Sequence, residues 1–106
     1  MKKVEVFGLW KDILDRLMSY VENFPKKVRF TVTNRLINHG IDVLELITRA
    51  MYESGRDKVS YLEECNIKIN IIRILLRISY ERRYISLSRY EELINSINRA
   101  GRMIGG

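Results

Sequence analysis

Nine consecutive residues constrain this chain more than any others: Asn70-Ile71-Ile72-Arg73-Ile74-Leu75-Leu76-Arg77-Ile78. Placed at about 100° per residue, as on a helix, Ile67, Ile71, Ile74 and Ile78 form one stripe. Cys65, Ile69, Ile72 and Leu76 form a second, roughly opposite, with Leu75 between them. The remaining gap holds Asn66, Asn70, Arg73 and Arg77. A helix in a small bundle needs one apolar face. A second face must be buried against something else, so this segment predicts both a partner and a positive ridge.

The rest of the chain reads as three more helices. The first runs from about Leu9, or earlier, to Glu22, with Trp10, Ile13, Leu14, Leu17, Val21 and Phe24 at helical spacing. Asn23-Phe24-Pro25 ends it, because the residue before a proline avoids the helical region. The second spans roughly Lys27 to Tyr52. Its start alternates like a short strand (Val28, Phe30, Val32, with Thr31 and Thr33), but a longer helical stripe runs through the same residues. That stripe is Phe30, Thr33, Ile37, Gly40/Ile41, Leu44, Ile47 and Met51; a second holds Val32, Leu36, His39, Val43 and Leu46. After the turn Glu53-Ser54-Gly55-Arg56, the third helix runs from about Asp57 to Glu81 or beyond. The fourth runs from about Leu87 to Ile104, with Leu87, Tyr90, Ile94, Ile97, Gly101 and Ile104 in step. Ser88 with Glu91 would make a capping box. Ser86, with Ile85 stapled to Tyr90, is the preferred start.

Short turns between long helices favour antiparallel neighbours. The expected fold is therefore all-α, one domain over residues 1–106, an antiparallel up-down-up-down four-helix bundle. The double stripes of the second and third helices predict a homo-oligomer interface built from Val32, Leu36, Val43 and Leu46 and from Ile67, Ile71, Ile74 and Ile78. The alternative is that these residues sit at wide helix boundaries. The pattern leaves open which stripe of each pair lines the core.

Nineteen Lys and Arg stand against 13 Asp and Glu, a net charge of +6. A small basic protein tends to meet polyanions: nucleic acid, acidic proteins or anionic lipid. Cys65 is the only cysteine, which rules out an intramolecular disulfide and fits a reducing cytoplasm. Met1-Lys2-Lys3 is basic, but Glu5, Lys11 and Asp12 interrupt any apolar region of a secretory signal. No run reaches the ~18 apolar residues of a membrane span.

Catalysis needs convergent reactive groups, and the sequence offers one histidine, one cysteine and no metal-ligand spacing. His39 reads as an interface or surface histidine and Cys65 as a core or interface residue. Glu63-Glu64 and Glu91-Glu92 read as solvated pairs. Gly40 and Gly101 lie within helices, where a missing side chain allows close packing, and no glycine loop resembles a phosphate cradle. The expectation is a non-enzyme without cofactor or metal.

Binding is the better prospect. Arg73 and Arg77 stand one turn apart, and arginine presents planar forks that suit phosphate oxygens. The alternative, on equal footing, is pairing with acids, Arg77 with Glu81 four residues on. Tyr80-Glu81-Arg82-Arg83-Tyr84, followed by Arg89-Tyr90, interleaves arginine with tyrosine. That suits single strands through phosphate contact and base stacking, unless the tyrosines seal the core rim. Lys26-Lys27 with Arg29 forms a third basic spot.

Four stretches, taken in order, resemble one family: Phe24-Pro25-Lys26 with Arg29-Phe30-Thr31; Ile72-Arg73-Ile74-Leu75-Leu76-Arg77; Ile85-Ser86-Leu87-Ser88-Arg89-Tyr90-Glu91; and Gly101-Arg102-Met103-Ile104-Gly105-Gly106. They are similar to the accessory variability determinant proteins of diversity-generating retroelements. Those belong to a wider set of four-helix bundles that includes the ribosomal-RNA intervening-sequence proteins. The arginine pair and the Gly-Arg-Met-Ile-Gly-Gly end favour the retroelement branch. The resemblance implies a barrel-like homopentamer that binds RNA and DNA through a basic surface. It also implies association with the retroelement reverse transcriptase in mutagenic copying of a template RNA. The matching positions for polyanion contact are Arg73, Arg77 and Arg102. Family members usually continue past this point with an aromatic residue and a basic tail, whereas this sequence stops at Gly106. The alternative reading is a protein-interaction bundle of the intervening-sequence type with no reverse-transcriptase partner.

Overall fold

Pro25 stops the first helix at the predicted place, and the chain re-enters helical geometry within three residues. The computed structural model describes residues 3–105. Met1 and Lys2, read above in the search for a secretory signal, and Gly106, the last residue of the C-terminal resemblance, lie outside the described residues. Helix α1 is Lys3–Val21, α2 Asn34–Tyr52, α3 Gly55–Glu81 and α4 Leu87–Ile104. A 3-10 turn, Lys26–Val28, and a π-helical turn, Arg29–Thr33, lead into α2. Among the described residues there is no strand, and no helix is long and apolar enough to cross a membrane. The all-α four-helix expectation is borne out. α1 begins at Lys3, within the allowance for a start before Leu9; α2 begins at Asn34 rather than Lys27, and α3 at Gly55 rather than Asp57.

α1 packs on α2 and α4, and α3 packs on the same two helices. Their shared core holds Trp10, Ile13 and Leu17 from α1, Leu36, Val43 and Ile47 from α2, Ile69, Ile72 and Leu76 from α3, and Leu93 and Ile97 from α4. Trp10 donates its indole N–H to the Gly40 carbonyl at 2.8 Å, which satisfies the one polar atom of a buried ring. A Cβ at Gly40 would lie 2.8 Å from Leu14 Cδ1. The missing side chain is what lets α1 approach α2 there.

The π-helical turn corrects the reading of the second helix. The Asn34 N–H donates to the Arg29 carbonyl, five residues back. One extra residue in a turn retards every earlier side chain by up to about 100°. In an unbroken α-helix Val28 and Leu36, eight residues apart, would stand about 80° out of phase. With the extra residue they fall within about 20°, and both are buried. Phe30 and Ile37 suffer the reverse. Seven apart, they would share a face, but the wide turn swings Phe30 off it and leaves its side chain 81% exposed.

The interface expected on this helix is corrected as well. Leu36, Val43 and Leu46 are buried in the bundle's own core, so their side chains are already covered and have nothing to offer a second copy. Val32 is half-buried against that core. On α3 the stripe Cys65, Ile69, Ile72 and Leu76 lines the core, while Ile67 and Ile74 remain 61% and 60% exposed. Ile78 is also exposed and Ile71 half-buried.

α3 ends in a Schellman motif: Arg83 N–H donates to the Tyr80 carbonyl at 2.9 Å and Tyr84 N–H to the Ser79 carbonyl at 2.8 Å. The left-handed position, usually glycine, is Arg83 at φ 64°. Ser86 is the N-cap of α4, as preferred, with its Oγ accepting from Arg89 N–H at 3.2 Å.

Candidate nucleic-acid interface

α3 and α4 bound a groove of about 410 Å³ lined by Asn66, Asn70, Arg73, Asn98, Gly101 and Arg102. Its lining carries two guanidinium groups, three amides and no carboxylate. The helical period of α3 puts Asn66, Asn70 and Arg73 on one side, and α4 answers with Asn98, Gly101 and Arg102 one turn apart. Arg73 Nε donates to Asn98 Oδ1 at 2.9 Å and its Nη1 to Asn70 Oδ1 at 2.6 Å. Both partners are neutral, so the guanidinium is oriented without being neutralised. A Cβ at Gly101 would fall 2.9 Å from Arg73 Nη2. Gly101 is the floor over which the guanidinium lies.

Arg77, paired with Arg73 in the sequence, is not among the groove's lining residues. Its Nε meets Glu81 Oε2 at 3.4 Å, with both side chains more than half exposed. A hydrogen bond to Tyr90 and the Glu81 carboxylate raise its already high pKa. An exposed pair of this kind contributes little to stability and opens readily to a competing phosphate. The arginine row is therefore split: Arg73 joins Arg102, and Arg77 faces Glu81.

The basic turns meet at one end of the molecule. Phe24, after α1, and Tyr84, after α3, place their ring centroids 5.8 Å apart. That contact brings the segment of Lys26, Lys27 and Arg29 to the same end as Arg82 and Arg83. All five are exposed, and none forms an ion pair among the described residues.

The interleaved tyrosines are spoken for. Tyr80 stacks on Tyr90 with centroids 5.0 Å apart, and Tyr84 lies on Phe24. Tyr20 donates to Glu92 and holds the Arg89 guanidinium over its ring at 4.7 Å. These rings close the rim of the bundle, the second of the two readings the sequence left open, and present no free stacking platform. The Tyr20 hydroxyl, with Arg16, also holds the Glu92 carboxyl below the usual range.

The reactive side chains are placed as structural residues. Cys65 is buried, its thiol pushed up to about 12 by burial, and it lies 3.9 Å from the Val43 carbonyl. His39 is half-buried, and burial, then Lys68, hold its pKa below the ordinary value. Among the described residues no group of three His, Cys, Asp or Glu side chains could hold a metal ion.

Two residues of consequence escaped the sequence reading. Asn98 gives no sign of its bond to Arg73, since the contact spans 25 residues. Its register with Gly101, three residues on, was the available signal. Phe30 was assigned to an apolar stripe, and only the π-helical turn reveals its exposure.

A family model described as bAvd-like matches residues 2–106. No curated protein and no solved structure matches the chain.

Proposed function

The chain belongs to the bAvd-like family, the accessory variability determinants its motifs resemble, and from that premise we propose a non-enzymatic, cytoplasmic accessory protein of a retroelement. It binds RNA and DNA, associates with the reverse transcriptase, and supports mutagenic cDNA synthesis from the template RNA. The observation that carries the nucleic-acid part is the carboxylate-free groove around Arg73 and Arg102. Phosphate oxygens would meet donors already oriented by neutral amides. Arg77 contributes once Glu81 is displaced, and Lys26, Lys27, Arg82 and Arg83 extend the field to the basic end of the bundle.

In this reading the helices run up-down-up-down, each antiparallel to the next, in one domain. Contacts of Arg16 and Tyr20, late in α1, with Glu92, early in α4, support that direction. Five copies form a barrel, as the family resemblance implies, and the α3 row Ile67, Ile71, Ile74 and Ile78 supplies its interface. Repetition around a ring multiplies the arginine grooves into one strong positive field. The accessory then acts without chemistry of its own, by raising the effective concentration of RNA at the polymerase.

Reconstitution tests the proposal. Purified chain should raise cDNA yield from a cognate reverse transcriptase on its template RNA. The double variant Arg73→Ala/Arg77→Ala should lose most of that gain while helix content stays unchanged. Equal cDNA yield with and without the chain would reject the retroelement role.

A further inference from the structure

Phe30 is the most exposed phenylalanine of the described residues, and its neighbours are cations. Burying such a ring would ordinarily stabilise the fold, yet the π-helical turn Arg29–Thr33 leaves it in solvent. Wide turns of this kind concentrate at functional positions. Lys26, Lys27 and Arg29 precede it within four residues, all exposed and free of ion pairs among the described residues. Arg82 and Arg83 reach the same end through the Phe24–Tyr84 contact. The sequence neighbour of Phe30, Arg29, with Lys26, Thr33, Phe24 and Pro25, lines a cleft of about 360 Å³. Glu22 is its one carboxylate, and it too forms no ion pair among the described residues.

We propose that Phe30 is a base-stacking platform for single-stranded nucleic acid, with Lys26, Lys27 and Arg29 holding the flanking phosphates. A strand with unpaired bases needs two things from a protein surface: a free π-face and a cationic track beside it. Phe30 provides the first and the lysine-arginine segment the second. Duplex nucleic acid hides its base faces and would gain only the charge. A lipid surface or a second copy of the chain would need a broad apolar face. Here the ring stands alone: Val28 is buried, Val32 half-buried, and Thr31 and Asn34 are polar. A second copy would also bring the same positive charge to this end. The broad apolar row suited to a second copy is on α3. The inference rests on the nucleic-acid reading above and moves the stacking role from Tyr80, Tyr84 and Tyr90, whose rings are engaged within the bundle, to a phenylalanine whose ring is exposed.

The experiment uses the full chain and two probes of equal length, a single-stranded RNA carrying 2-aminopurine and a duplex DNA. Binding is followed by anisotropy at fixed salt, stacking by quenching of 2-aminopurine, and mass by light scattering. Phe30→Ala should weaken single-strand binding about 5- to 150-fold, the loss of one base stack, and abolish the quenching. Duplex affinity should change less than about twofold, and Phe30→Tyr should restore both single-strand signals. Unchanged single-strand affinity in Phe30→Ala overturns the proposal, as does an equal loss on duplex. A fall in the oligomer's mass in Phe30→Ala also overturns it, because a second copy is then the occupant of the ring. If the unaltered chain binds neither probe, the nucleic-acid reading itself fails. If it binds both with no dependence on Phe30, only the stacking role fails.

Discussion

On α2, Leu36, Val43 and Ile47 keep none of their surface, whereas on α3 Ile67 and Ile74 keep 61% and 60%. The two helices have comparable surroundings, since each packs against two others. They differ in how far the apolar residues spread around the axis. On α2 the stripe Leu36, Val43 and Ile47 lies buried, and Ile37, Ile41, Leu44 and Met51 beside it are half-buried. On α3 the core stripe fills the space offered by α2 and α4, and the isoleucine row falls outside both contacts. Apolar breadth thus becomes a vacant surface only where it exceeds the arc the neighbours can reach. The bundle covers each apolar side chain of α2 from Leu36 to Met51 at least in part, and has left α3 with a side to spare.

Placing the same charge on each helix is the sharpest way to break this comparison. Val43→Glu would bury a carboxylate with no cation to meet it, and should cost at least ~3 kcal/mol. Urea denaturation should find it largely unfolded. Ile74→Glu places that carboxylate in water, so the monomer's stability should change by less than about 0.5 kcal/mol, while light scattering shows loss of the assembled mass. A folded Val43→Glu, or an unfolded Ile74→Glu, would reverse the roles given to the two helices.

Adding a methyl group sharpens the comparison at a smaller scale. At Gly40 the new Cβ would lie 2.8 Å from Leu14 Cδ1 in the α1–α2 contact. Overpacking there should cost ~1–3 kcal/mol. At Gly101 it would meet the end of Arg73, 2.9 Å away, and a long side chain can swing aside. Gly101→Ala should therefore leave stability unchanged or raised by up to about 1 kcal/mol through helix propensity, while weakening polyanion binding. Thermal melts and anisotropy on the two variants check both outcomes.

The smallest expected effect concerns the flank of α2 near Lys68. Burial keeps His39 neutral in the folded chain to a pH below its ordinary 6.5. The unfolded chain binds that proton first, so stability falls as the pH drops through 6.5. His39→Gln should remove this slope in Tm. Glu92 gives a separate loss below its ordinary 4.5, because the folded state holds that carboxyl ionised. A Tm profile between pH 7 and pH 5 that is the same for both proteins would remove His39 from the account.

Much of the architecture was legible because long helices repeat their signal over many turns. The periods of α1, α3 and α4, the stop at Pro25, the Ser86 cap and the Arg77–Glu81 pair all come from spacings of four residues or fewer. The π-helical turn was not legible. It occupies five residues, has no compositional signature, and reverses the fate of Val28 and Phe30 by shifting phase. The assignment of Leu36 and Val43 to the core depended on where α1 and α3 lie, which no single helix encodes. Gly101 could be read as a close approach, but not that Arg73 was the group approaching. The tyrosines read as rim residues more readily than as a stacking platform, and their ring contacts place Tyr80, Tyr84 and Tyr90 at the rim.

Arg73 is moored by two amides rather than by an acid, and this determines what a titration can measure. An arginine held by a carboxylate loosens as salt rises or as the acid protonates, so its site and its ligand respond together. The Asn70 and Asn98 oxygens carry no titratable proton and no net charge to screen. The two hydrogen bonds that orient Arg73 therefore involve no partner that titrates in the acid range. The slope of binding against salt at this groove then counts ions displaced from the polymer together with the anions its two guanidinium groups release, with no contribution from a titrating mooring.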